Sequence, residues 1–553
     1  MWFARSLLAA AFFCPALTLR PETLPAATPS TVGLTLPDLR QRVLQRNETL
    51  QGRLLGYEAQ RSRARAEYGV FEPDLFGSFT HEVNNRKNTA QQQTELLGAA
   101  TFNETNNNYE SGLETLVPSG ARVRLGYTLR DLENNLQPAR GATNGEYQTF
   151  FGLTVTQPLL KNFGAAVTMA GIRLAAISNK MAFQEYRRDL MAVVSAAEAT
   201  YWNLYLAQEQ VRFFEESVKT AESILRDNRA RLETGKGSEL EVLEAEAGLG
   251  LRQAKLTEAQ QKQVEAVNRL LSLYAQEAPA DGLAVRALDV PQIPGELPEY
   301  QALRQAVFNL NPDYLIAREK VQQDLVRVGV ARNQRLPALD LKGSYGLNGL
   351  GNTPGLSWTD VERQTEPSWY IGAEFHIPLG GGIKSRNELI ATRLELDSSE
   401  VALRSLQLEI LNSLNTAWRK IQSTRGSVAK YQTAVKYNLN VLDAALTRLE
   451  AGKIESRKVL EIEADLLESR VSVVESLVHC QLALLELEMI HGVFLERRHL
   501  EVTQGDLQLA TVHLGRSRTL GDQEYRKGMD DAARLRGQPE AQEDPRFSNL
   551  PLK

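Results

Sequence analysis

Apolar residues recur at every seventh position through Leu190, Ala197, Leu204, Val211, Val218, Leu225 and Leu232, and no Pro interrupts Ala165 to Glu233. A seven-residue step held this long predicts a coiled-coil helix rather than an ordinary globular one. At about 1.5 Å per residue such a helix runs roughly 100 Å. The same step returns in Leu414, Ile421, Val428, Val435, Leu442 and Leu449. Both patterns end on a Gly-Lys, in Arg231-Leu232-Glu233-Thr234-Gly235-Lys236 and in Arg448-Leu449-Glu450-Ala451-Gly452-Lys453. A second helical pattern follows each turn, over 238–274 and 455–496, so each long helix is expected to fold back as a hairpin.

The two halves are copies. Asn47 to Pro73 matches Asn311 to Pro337 at an offset of 264, and Gln157-Pro158-Leu159 matches Ile377-Pro378-Leu379 at 220. Thr200-x-Trp202 matches Thr416-x-Trp418 at 216, and Val242 to Ala247 matches Val459 to Ala464 at 217. Four anchors in the same order define a duplication, and the drop in offset assigns 44 extra residues to the first copy between its Pro anchors. Each copy is expected to open on a helix, Leu36 to Val70 and Leu297 to Gln334.

Between the Pro anchors the period falls from about 3.5 to 2, the strand signal. Leu75–Val83 and Tyr147–Val155 are the expected pair in the first copy, and Asp340–Leu347 and Trp369–Ile377 in the second. The insertion adds a candidate hairpin, Tyr109–Val117 and Ala121–Arg130, turning at Pro118-Ser119-Gly120. Asn84–Asn108 and Asn348–Ser368 read as polar loops. Strands of about ten residues with aromatic ends and polar loops fit a transmembrane β-barrel, and fit a soluble antiparallel sheet as well. Two or three hairpins cannot close a barrel, so strands that span a membrane must be pooled from several chains.

The expected organisation is therefore a signal peptide over 1–27, a first repeat over 34–275, a linker over 276–296, a second repeat over 297–500 and a polar tail over 501–553. In the first repeat strands occupy about 74–157, the long helix 165–233 and the return helix 238–274; in the second, strands occupy about 338–378, the long helix 383–451 and the return helix 455–496. The tail is charged and rich in Pro, Gly and Gln, a composition that disfavours a packed core.

Net charge is −5, which makes no case for a nucleic-acid partner. No run of 18 apolar residues follows the N-terminus, so a membrane role rests on the strands. With the signal removed Cys480 is the only cysteine, sitting in an apolar helix as a core thiol, and Cys14 follows residues too bulky for the usual lipidation site.

The duplicated layout, together with Gln157-Pro158-Leu159, Ile377-Pro378-Leu379-Gly380-Gly381-Gly382 and the turn Arg231-Leu232-x-x-Gly235-x-x-Ser238-x-Leu240-Glu241-Val242-Leu243, resembles the TolC-like outer-membrane efflux proteins over about Leu34 to Phe494. The resemblance implies a mostly α fold with transmembrane β: a homotrimer whose helical hairpins form one α-barrel tunnel, capped by one shared β-barrel in outer-membrane lipid. It implies docking of a periplasmic adaptor and an inner-membrane transporter at the tips, here Arg231, Leu232, Gly235, Lys236, Ser238, Leu240, Arg448, Leu449, Gly452 and Lys453. It puts the strand-to-helix junctions at Pro158, Leu159, Pro378 and Leu379. Acidic residues near the second tip commonly constrict the pore in this family. The matching positions are Lys458 and Glu461, with Glu241 and Glu244 at the first tip, and Lys458 departs from the acidic habit.

No catalytic constellation competes with this reading. Gly380-Gly381-Gly382-Ile383-Lys384-Ser385 lacks phosphate-loop spacing, His479, His491 and His499 lack metal-site spacing, and neither G-x-S-x-G nor H-E-x-x-H occurs. The chain is expected to be a non-enzyme without cofactor. The alternatives are a coiled-coil protein of the cell envelope without a pore, and an enzyme scaffolded on long helices.

Overall fold

In the computed structural model the chain describes residues 31–95, 98, 100–135, 145–275, 284–295, 297–451, 453–505 and 507; the expected signal peptide, Gly452 and most of the expected tail lie outside the described residues. The elements in order are β1 (Thr31–Leu34), α1 (Leu36–Arg46), α2 (Glu48–Ala66), β2 (Asp74–Lys87), α3 (Ala90–Glu95), β3 (Thr101–Leu116), β4 (Arg122–Asn134) and β5 (Glu146–Pro158). Next come α4 (Ala165–Thr168), α5 (Ala170–Glu233), α6 (Glu239–Leu271), β6 (Ala284–Ala287), α7 (Tyr300–Leu310) and α8 (Pro312–Gln334). The last are β7 (Ala338–Gly351), α9 (Pro354–Arg363), β8 (Pro367–His376), α10 (Ile383–Glu450) and α11 (Ser456–His491).

The two heptad patterns are α5, 64 residues, and α10, 68 residues, each roughly 100 Å long. The first is preceded by a separate turn, α4, with the break at Met169. Among the described residues no helix is both long and apolar enough to cross a membrane.

The opening helices are not continuous. Leu36–Val70 divides into α1 and α2 at Asn47, and Leu297–Gln334 into α7 and α8 at Asn311. Each Asn leaves helical backbone and caps the following helix, accepting from Leu50 N at 3.0 Å and from Tyr314 N at 2.9 Å. Each also donates to the end of a return helix, Asn47 Nδ2 to Leu273 O at 2.9 Å and Asn311 Nδ2 to Ile490 O at 2.8 Å. One Asn thus starts α2 over the end of α6, and its copy starts α8 over the end of α11.

The helices form one layer with two levels. Beside the strands α2 packs on α5, α5 on α8 and α8 on α10; towards the turns α6 packs on α5, α5 on α11 and α11 on α10. Four helices therefore lie abreast at either level. The largest core fills the middle, around Leu39, Leu190, Tyr201, Leu204 and Leu270, and a second joins α7, α10 and α11 through Val307, Leu414, Ala417 and Ala483. Cys480 is buried in that second core, where burial pushes its thiol up.

The segment expected as a linker is partly structured. Its strand β6 pairs in parallel with β1 in register Thr31 to Ala284. The Tyr201 hydroxyl donates to Leu34 O at 3.0 Å and accepts from Asp289 N at 3.0 Å, with burial holding its phenol up at about 12. A four-residue strand is too short to declare a period in sequence.

The remaining strands make one antiparallel sheet in the order β2-β3-β4-β5-β7-β8. The hairpin of the insertion lies within it. The segment 84–108 is not a loop: β2 continues to Lys87, α3 makes a short turn, and β3 begins at Thr101. Its Asn residues sit in strands and bond across them, Asn84 Nδ2 to Glu104 Oε1 at 2.9 Å and Asn107 Nδ2 to Asp131 Oδ2 at 3.2 Å. The expected loop 348–368 likewise carries the end of β7 and α9, whose start is capped by Thr353 ahead of Pro354. Ser357 and Val361, four apart, seat α9 on the sheet, Ser357 Oγ lying 2.7 Å from Thr149 Oγ1.

Asn311→Ala removes a cap and the tie from α8 to α11 together. It is expected to lower stability by about 1–2 kcal/mol, read as the midpoint of chemical unfolding; no shift in that midpoint contradicts the stacked-helix account.

Candidate functional site

The tips are built by local backbone chemistry. Gly235 takes φ +70, the left-handed region that ends a helix. Lys236 N and Gly237 N both donate to Arg231 O, at 2.8 and 3.1 Å. Ser238 then opens α6 with a reciprocal capping box, its hydroxyl accepting from Glu241 N and the Glu241 carboxylate accepting from Ser238 N. The second tip repeats the first contact, Lys453 N donating to Arg448 O at 2.8 Å.

The two tips are joined inside the chain. Arg231 donates to Leu449 O. Asn228, buried, donates to Ser456 Oγ at 2.8 Å and to Glu241 O at 3.0 Å. Around these lies a small core of Ala221, Ile224, Ala445, Leu449, Val459 and Leu460. Higher up, the buried Arg252 donates to Glu463 Oε2 at 2.6 and 3.0 Å, to Leu460 O at 2.8 Å and to Ser217 Oγ at 3.1 Å. That cluster links α6, α5 and α11.

Equivalent residues of the two tips differ in one respect. Leu449 is 5% exposed and its copy Leu232 is 39%; Leu460 is 8% exposed and its copy Leu243 is 55%. The second copy meets the first hairpin within the chain. Among the described residues the first copy's own face, with the exposed Leu240, has no such partner. Lys236, Arg448 and Lys453 are exposed at the ends.

The residues singled out for a constriction do not form one group. Glu241 is engaged as the N3 member of its capping box. Lys458 Nζ and Glu461 Oε2 pair at 2.9 Å on the surface, which holds the Glu461 carboxyl below its usual range and the Lys458 ammonium above it. Arg457, not anticipated from sequence, connects the rest, 3.4 Å from Glu461 and 3.9 Å from Glu244. The adjacent basic pair Arg457-Lys458 was its only sequence signal.

The two strand-to-helix junctions also differ. After Pro158 the chain docks on the second copy, with Leu159 N donating to Leu339 O at 2.7 Å and Asn162 N to Asn333 Oδ1 at 2.7 Å. After Pro378, Leu379 stands fully exposed. Among the described residues no group of three or more His, Cys, Asp or Glu could hold a metal ion. His491 is buried, and burial, with Arg497 nearby, lowers its pKa.

The sheet has two unlike faces. One row of cross-strand partners, Leu75, Leu113, Leu125, Leu153, Tyr345 and Trp369, is apolar and exposed in every strand. The opposite face carries Glu110, Arg124, Thr154 and Ser344. An exposed apolar face this wide on a β-sheet marks contact with lipid or another protein. Long helical hairpins under such a sheet are the features that define the class of protein.

The comparisons agree. The model of the outer membrane efflux protein family matches residues 39–276 and 303–493, and the chain belongs to that family, whose members are transport proteins of the outer membrane. It is 22% identical over 345 residues to the outer membrane efflux protein BepC of Brucella suis, covering 61% of this chain and 71% of that one. It is 25% identical over 317 residues to the alkaline protease secretion protein AprF of Pseudomonas aeruginosa, covering 57% of this chain but only 62% of AprF. The fold is similar to the Campylobacter jejuni CmeC outer membrane channel, with TM-score 0.59, 17% identity and coverage of 88% and 90% of the two chains. It is similar also to the open state of the Neisseria gonorrhoeae MtrE outer membrane channel, with TM-score 0.56, 16% identity and coverage of 83% and 88%.

Arg252→Met leaves Glu463 buried without its partner, and is expected to destabilise by about 3–5 kcal/mol, while Arg252→Met with Glu463→Leu recovers most of that loss. Unfolding midpoints of the three proteins check this; equal loss in both variants would mean that the pairing itself is not what matters.

Proposed function

We propose that the chain is one subunit of a passive trimeric duct. It carries substrate from a periplasmic adaptor and an inner-membrane transporter to the exterior, in efflux or type I secretion, with no chemistry of its own. The three chains pool their strands into one barrel and their helices into one tunnel, which is gated at the helix-turn tips.

The observation that carries this reading is the mismatch between the two flanks of a duplicated chain. Within the chain the first copy meets the second through β5 and β7, through α5 and α8, and through α5 and α11. Among the described residues the outer flanks bear the equivalent elements without partners: β8 and α10 on one side, β2, α2 and α6 on the other. Their helices expose Ile390 and Leu394 on the first side, and Leu243 and Leu251 on the second. The same contact repeated between chains runs head to tail, and such a contact is satisfied throughout only in a closed ring. Three chains per ring is what the family resemblance implies.

Sheet edges argue the same way, since lipid tolerates no unpaired strand edge. A coiled-coil envelope protein without a pore accounts poorly for the lipid-like row from Leu75 to Trp369. At the tips, the exposed Leu232, Leu240, Lys236 and Lys453 suit an adaptor, and the surface chain of Glu244, Arg457, Glu461 and Lys458 suits a charged narrowing of the pore. BepC is named for efflux and AprF and the Dickeya chrysanthemi PrtF for protease secretion, so both cargo classes have a relative.

Single-channel recording in planar bilayers tests the reading. The purified protein is expected to form channels, and Glu461→Ala with Lys458→Ala is expected to raise conductance and change cation preference. No channels would overturn the duct; channels unchanged by the double variant would remove these residues from the constriction.

A further inference from the structure

We infer that the inserted hairpin β3–β4 is part of the barrel wall of every chain, so that the trimer closes 18 strands and its exit is wider than that of a twelve-strand barrel. This rests on the trimeric reading above and adds the bore. Without the insertion each copy would give two strands and a trimer twelve.

Three observations integrate the hairpin. Its register is continuous: β3 pairs with β2 from Asp74–Glu114 to Lys87–Thr101, and β4 with β5 from Arg122–Thr156 to Leu132–Glu146. Its residues continue both faces of the sheet. Leu113 and Leu125 extend the exposed apolar row from Leu75 to Leu153, and Gly112 and Gly126 extend a row of glycines to Gly152 and Gly346. Its turn is fixed on the strand-to-helix junction. Ser119 Oγ donates to Gln157 Oε1 at 2.9 Å, Gly164 N donates to Ser119 O at 2.9 Å, and a Cβ on Gly120 would meet Asn162 O at 2.5 Å. A hairpin folded away from the wall would lose all three.

The glycine row also bears on the bore. It lies on the polar face, and the rings of Phe76 and Phe150 lie against it: a Cβ on Gly112 would meet Phe76 at 2.8 Å, and on Gly152 would meet Phe150 at 2.6 Å. Two large side chains are thereby folded onto the wall instead of projecting across the polar interior.

Widths follow from spacing. Strands about 4.8 Å apart and tilted about 40° give a perimeter of about 110 Å for 18 strands and about 75 Å for twelve. Each chain sets six strands over four helices, so the wall of 18 strands is about half again as long round as one of twelve.

Single-particle imaging of the detergent-extracted full chain decides it. A three-fold particle with 18 strands is expected. A three-fold particle with twelve strands overturns the inference and leaves the duct standing; a particle without three-fold symmetry overturns both. Deleting residues 101–134 joins the upper ends of β2 and β5, and is expected to narrow the barrel by about a third. A deletion variant keeping the parent width also overturns the inference.

Discussion

A strand in lipid can send its backbone hydrogen bonds only to another strand. This chain presents six strands in an open sheet whose outer edges, β2 and β8, are bare among the described residues. An apolar face across all six and a polar face behind it make water an equally poor solvent for the sheet. On the proposed reading the sheet is an arc of a larger wall, and the remainder of the structure suits that role. The helices are long, form a single layer, and leave the outer sides of α10 and α6 apolar and uncovered.

Duplication supplies a template for completing the wall. What β5 does to β7 inside the chain, β8 can do to the next chain's β2. What Leu449 and Leu460 find inside the chain, Leu232 and Leu243 lack among the described residues. The junction after Pro158 is docked and the junction after Pro378 is open for the same reason. The polar ties run between the two copies within one chain, at Arg252–Glu463 and Asn228–Ser456, so each chain is a firm unit.

Much of this was legible in sequence because it is local or periodic. The seven-residue step, the Gly turns and the duplication need no tertiary knowledge. What escaped was of two kinds. The break at Asn311 had a sequence signal in the Pro312 that follows it at the first position of α8; at Asn47 the same capping Asn precedes Glu48 without a Pro, and the contacts that both make to Leu273 and Ile490 depend on tertiary packing. The polar reach of β2 and β3 was hidden because Asn side chains bond across strands there, where the sequence suggests a loop. At the tips the turns were readable, while Arg457 and the Arg252–Glu463 pair depend on the register between helices distant in sequence.

On the trimeric reading β8 of one chain pairs with β2 of the next as β5 pairs with β7. In that pairing Val155 faces Gly343, and the repeat offsets carry this contact to Phe375 and Phe79 of neighbouring chains. The most direct measurement is oxidative cross-linking of Phe79→Cys with Phe375→Cys in membranes, read on denaturing gels. The account predicts covalent dimers and closed trimers from the double variant and neither from the single variants at equal yield; only monomers from the double variant would contradict it.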